Sequence, residues 1–150
     1  MTTLRALDRL AAPTMPRAVT LAVRLVGAAL LLAMGAIHLR LWFDGYRDVT
    51  WIGPLFLAKP ELGVLAGLAV LLTPARWLGW ASLLAALLAI GTLGGLVLSL
   101  TVGLFGFFET LSAPLVAPTI VVESAAFVVF GGYGAWALLG ARHRPERAGG

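Results

Sequence analysis

The side chains able to do chemistry are few: His38, Arg40, Lys59, Glu61, Glu109 and Glu123. A histidine beside carboxylates can handle protons or hold a divalent metal. A lysine or carboxylate inside an apolar bundle needs a partner, because an unpaired charge there is costly. The six predict one of two arrangements. The first is a structural ion-pair network near the outer surface. The second is a polar pocket open to the outside that binds a small ligand, a cation or a quinone headgroup. No HxxxH or ExxH spacing specifies a metal, so no metal site is expected.

His38 shares a helical face with Leu31, Met34, Gly35 and Trp42. The small Gly35 sets that face against another helix. There His38 is either a buried, hydrogen-bonded imidazole or a group with a function. The second histidine, His143, follows the last apolar stretch. Nearly the whole membrane, about 30 Å, separates the two, which excludes a bis-histidine haem within one chain. A His38 pair across a dimer, or His38 with Met34, is a weak alternative for haem. The chain has no cysteine, which removes disulfides, iron–sulfur ligation and thiol mechanisms. No GxGxxG, P-loop or GxSxG occurs. The expectation is therefore no catalytic residue and no resident cofactor, with a quinone the ligand left open.

These residues hang on a strongly apolar scaffold. Of 150 residues, 60% are hydrophobic and 12% charged; mean hydropathy is +0.96. Soluble domains run about 45–50% apolar and about 25% charged, so an integral membrane protein is implied. A spanning helix needs about 20 apolar residues, and four stretches qualify. They run from Pro16 to Trp42, Pro54 to Thr73, Trp77 to Phe107 and Pro118 to Leu139. The fold class is all-α, an antiparallel bundle of four transmembrane helices. Residues 1–15 form a basic N-terminal segment, 16–140 the bundle and 141–150 a basic tail. Leu4, Leu7 and Leu10 recur at helical spacing, which fits a surface helix or an unstructured tail. The first apolar run is too long for a signal peptide and is interrupted by Arg24, so it stays as an uncleaved helix.

Arginine placement sets the expected topology. Arg5, Arg9, Arg17, Arg24, Arg76, Arg142, Arg144 and Arg147 fall on one side of a four-span chain. The positive-inside rule makes that side the cytoplasm, with both termini in it, in a bacterial inner membrane. The net charge of +4 is thus a topology signal, and no nucleic-acid partner is expected. The expected partners are the lipid bilayer and a second copy or another membrane protein.

The helices carry their own signals. Pro74, Ala75 and Arg76 alone join the second and third, which predicts antiparallel neighbours. Gly63 and Gly67 in helix two, and Gly91, Gly95, Ser99 and Gly103 in helix three, recur every four residues. Such stripes let helix backbones approach, inside the bundle or across a homodimer. Helix three would span roughly 46 Å from Trp77 to Phe107; it must tilt, protrude or break near Gly103 and Gly106. Pro60 either kinks helix two, freeing the Phe56 carbonyl, or begins its regular part. Lys59 and Glu61 are two apart and do not face each other. Glu123 lies about two turns into helix four. The segment from His38 to Trp51 holds Trp42, Tyr46 and Trp51 around an Asp44-Gly45 turn. It is an interfacial loop or a cap over a pocket.

Several stretches are similar to a known family. Glu61-Leu-Gly-Val-Leu-Ala-Gly67, Leu71-Leu-Thr-Pro-Ala-Arg76-Trp-Leu-Gly79 and Leu83-Leu-Ala-Ala resemble the second and third helices of DoxX-like membrane proteins. Arg24-Leu-Val-Gly27 through Gly35 resembles their first helix. The segment from Trp42 to Ala58 is longer and more aromatic than that family shows. It is similar instead to uncharacterised actinobacterial four-helix proteins with a His-Leu-x-Leu-Trp-x-x-Gly-Tyr-Arg run. The resemblance implies a small four-helix bacterial membrane protein with a loose link to redox or oxidative-stress systems. It implies no catalytic residue. The leading expectation for function is a non-catalytic accessory or partner subunit. The alternative is an outward-facing pocket for a quinone, lipid or other small molecule.

Overall fold

The computed structural model describes residues 15–142. The N-terminal leucines and Arg5, Arg9, His143, Arg144 and Arg147 lie outside the described residues. Four helices follow in order: α1 (Arg17–Phe43), α2 (Ile52–Leu72), α3 (Ala75–Thr101) and α4 (Val116–Arg142). A single 3-10 turn, Tyr46–Asp48, sits between α1 and α2. Each helix is long and apolar enough to cross a membrane. The described residues form a four-helix membrane bundle. Its arginine end carries Arg17, Arg24 and Arg76; its loop end carries the α1–α2 and α3–α4 connections.

Proline starts two of the helices. Pro16 and Pro74 precede α1 and α3 with φ of −52° and −54°, the value the ring imposes. Pro60 does not start α2, which runs unbroken through it from Ile52. Of the three fates open to helix three, the structure shows a break. The helix stops at Thr101, and Gly103 and Gly106 turn the chain with φ of +84° and +81°. That backbone region suits glycine, which has no Cβ to clash. The remaining 27 residues of α3 make a rod of about 40 Å.

The packing is pairwise: α1 lies along α2, α3 lies along α4, and α1 joins the pairs by meeting α4. This corrects one expectation. Helices α2 and α3 are antiparallel and consecutive, yet they make few contacts. A tight turn fixes direction but not lateral contact, and each helix finds a better-fitting partner elsewhere. For α2 that partner is α1. A Cβ added at Gly63 would stand 2.7 Å from the Leu31 carbonyl oxygen, and one at Gly35 would stand 2.9 Å from Pro60 Cα. Gly67 faces the same seam near Ala28 O. Glycine here removes the atoms that would hold the backbones apart.

The α3 stripe behaves differently. A Cβ at Gly91 would meet nothing within 4 Å, and one at Gly95 would touch only Leu104. Ser99 is buried, but its hydroxyl bonds back to Leu96 O. Gly103 lies past the helix end. Small residues permit approach without enforcing it, and at this face no helix approaches. The α3–α4 contact uses Gly79 and Gly134 instead: a Cβ at Gly79 would stand 2.9 Å from Ala137 Cβ, and one at Gly134 would stand 3.1 Å from Gly79 O. Ala85, Ala86, Ala89 and Ala126 are buried in the same core. Phe130 of α4 fills the centre and leaves no room for a side chain at Gly27 of α1.

Arg24 ties the arginine end together. Its guanidinium donates to Val70 O at 2.7 Å, Leu71 O at 2.5 Å and Thr73 O at 2.5 Å. These are the carbonyls left without helical partners where α2 ends.

Candidate functional site

Because α2 and α3 part, a cleft of about 420 Å³ opens between them. Leu62 and Lys59 of α2 form one wall, and Leu88, Gly91, Thr92 and Gly95 of α3 the other. His38 and Leu41 of α1 and Val116 and Thr119 of α4 close the back. Leu104, Phe105 and Phe107 roof the loop end. The cleft thus occupies the α2–α3 seam, between the two helices that make few contacts with each other. The missing side chains of Gly91 and Gly95 make the space, which is why their stripe meets no helix.

The cleft is apolar except at its depth and its mouth. At its depth, Lys59 Nζ donates to Leu88 O at 3.2 Å and to the Thr92 hydroxyl. The Thr92 hydroxyl in turn donates to Leu88 O at 2.7 Å. Behind Lys59 lies Glu123, with Oε1 3.9 Å from Nζ. On its other flank, His38 Nε2 stands 4.0 Å from the same oxygen. His38 Nδ1 donates to Met34 O at 2.9 Å, which aims Nε2 at the carboxylate. Lys59 and Glu123 are only 2% and 1% exposed. Both Glu123 oxygens are buried without a hydrogen-bond donor. Measured along the helices from the loop end, His38 lies about 8 Å deep and Lys59 and Glu123 about 11 Å.

The mouth holds a second polar pair. Tyr46 OH donates to Glu109 Oε2 at 2.5 Å, joining the two connections of the loop end. Tyr46 stacks on Phe56 with ring centroids 4.9 Å apart, and Phe56 meets the His38 ring at 4.9 Å. An aromatic row thus runs from mouth to depth. Burial, with Glu109 beside it, raises the Tyr46 phenol above its usual range.

The structure sorts the six sequence candidates. It brings His38, Lys59 and Glu123 into one cluster and places Glu109 at the mouth of the same cleft. Arg40 is not part of it; that side chain is exposed and pairs with Asp44 at 2.9 Å, one helical turn away. Glu61 is also elsewhere, exposed on the outer side of α2. Among the described residues no three His, Cys, Asp or Glu side chains group to hold a metal ion. Sequence reasoning missed Thr92 and the Tyr46–Glu109 clamp. A threonine amid the apolar run of α3 was the available signal for the first; none marked the second.

No known protein family, curated protein or solved structure matches the chain.

Proposed function

We propose that the chain binds a small, mostly apolar molecule with a polar head, of the quinone or lipid kind, in the α2–α3 cleft. The observation that carries this is an apolar cleft lined at its depth by Lys59 and His38, with Glu123 buried behind them without a hydrogen-bond donor. Buried polar groups in stable bundles are nearly always satisfied. A carbonyl or hydroxyl head would accept from the Lys59 ammonium, and a hydroxyl would also donate to His38 Nε2, while the ligand body lies against Leu62, Leu88 and Phe56. The volume is within the usual range of small-molecule sites, about 300–1,000 Å³. A cleft between two spanning helices suits a ligand that partitions into the membrane. The DoxX-like resemblance, with its link to redox systems, favours a quinone.

The same reading sets the chain in a bacterial inner membrane, loop end outward and termini in the cytoplasm, on the positive-inside pattern. The chain has no cysteine, so Arg47→Cys provides a clean probe of this. It should react with an impermeant maleimide added to intact cells.

The ligand test is native mass spectrometry of the protein extracted in mild detergent from its own membranes. A discrete added mass is expected, absent from Gly91→Leu, whose side chain fills the cleft. A bare protein that also takes up no added menaquinone or phospholipid overturns the proposal.

A further inference from the structure

Glu61 stands apart from every feature used so far. It lies nine residues from Ile52 and eleven from Leu72 within α2, so about 14 Å of helix rises on one side of it and about 17 Å on the other. That is the middle of the span. Lys59 is about 200° away around the helix and points into the bundle. Glu61 is exposed on the opposite side, in a row with Leu57, Leu65 and Leu68, all exposed as well. A carboxyl at this depth on a lipid-facing surface is costly unless another group meets it. Among the described residues no ion pair includes it.

We infer that this face of α2 docks a transmembrane helix of another protein, one that carries a basic side chain at mid-depth opposite Glu61. Charge complementarity chooses that occupant over a second copy. Within the described membrane-level part of the chain, Lys59 is buried with Glu123 and Arg24 is engaged by the α2 carbonyls. Arg17, Arg40 and Arg76 lie at or near helix ends. A copy of the chain therefore has no cation to offer at this depth, and a two-fold pairing of α2 would set carboxyl against carboxyl. The leucines around Glu61 supply the flat apolar contact such a helix would lie on. This interface lies on a different side of α2 from the cleft and does not depend on what the cleft binds.

The experiment uses the full chain in phosphatidylcholine bilayers, labelled with a donor fluorophore at Arg47→Cys. The probes are two acceptor-labelled transmembrane peptides, one all leucine and one with a single central lysine. The lysine peptide should associate about tenfold more tightly, the worth of one polar contact between helices in lipid. Glu61→Leu should abolish the difference. That variant faces lipid, so its unfolding midpoint should match or exceed that of the parent chain. Equal affinity for both peptides overturns the inference, as does lysine-peptide binding that survives Glu61→Leu. Self-association lost in Glu61→Leu would assign the face to a second copy and also overturn it.

Discussion

Replacing Lys59 by methionine strands Glu123. Methionine is close in shape, so packing changes little. Lys59 gives hydrogen bonds to Leu88 O and Thr92, but Leu88 O also accepts from the Thr92 hydroxyl. Those two groups therefore keep a partner. Glu123 does not: it has no hydrogen-bond donor, and Lys59 is its closest cation at 3.9 Å. Breaking a buried pair from one side costs about 3–5 kcal/mol. We expect about 3 kcal/mol here, roughly a 150-fold change in the unfolding equilibrium at 1.4 kcal/mol per decade. Glu123→Gln removes the other partner, yet leaves Lys59 with two acceptors, so it should cost about 1 kcal/mol. The double variant should fall short of the sum of the two by about 1–2 kcal/mol. The assay is equilibrium unfolding of the purified chain in bicelles, titrated with SDS. Additive costs would refute the coupling. A cost for Glu123→Gln as large as that for Lys59→Met would refute the asymmetry drawn from the hydrogen bonds.

Arg24→Leu should destabilise by about 2 kcal/mol, since charge-assisted bonds to the α2 carbonyls are lost. Hydrogen exchange should then rise over 70–73; unchanged protection there would show that the cap does not matter. Arg24→Lys should restore only part of the loss, because a single ammonium cannot copy the guanidinium fork. Gly63→Ala should cost about 1–3 kcal/mol by forcing α1 and α2 apart. Gly91→Ala should be neutral or stabilising, because its new methyl enters open space and glycine is a poor helix former. The two are compared by the same SDS titration, and equal costs would contradict the placement of the cleft. The Tyr46 phenol is raised in the folded chain, so the folded state holds that proton more tightly than the unfolded one. Stability from this source is complete below the unfolded phenol value of about 10 and declines as pH rises above it. Absorbance near 295 nm should show a phenol resisting ionisation there, and Tyr46→Phe should remove that feature.

The candidate site was half legible. His38, Lys59 and Glu123 were visible as ionisable groups in apolar helices, and their common depth followed from counting residues along each span. Their convergence was not visible, and Arg40 and Glu61 stand two residues from His38 and Lys59 on the same helices without sharing the site. Depth is a one-dimensional quantity that sequence carries. Facing is set by how each helix is rotated about its axis, and sequence gives rotation only when one face differs from the others. These helices are apolar nearly all round. Gly63 and Gly91 show the same limit: identical residues in similar stripes, one wedged against a backbone and the other bordering a void.

Local quantities along the chain alone determined four helices, their approximate ends and the membrane as solvent. Run length, proline position and the spread of arginines suffice, because each acts within a turn or two of itself. Tertiary structure decided which helices pair, that α2 and α3 part to leave a cleft, that Arg24 closes the end of α2, and that Glu61 looks outward. All four depend on shape fit between helix surfaces distant in sequence. In lipid that fit has no hydrophobic contrast to guide it, so packing of small residues and a handful of polar contacts choose the arrangement.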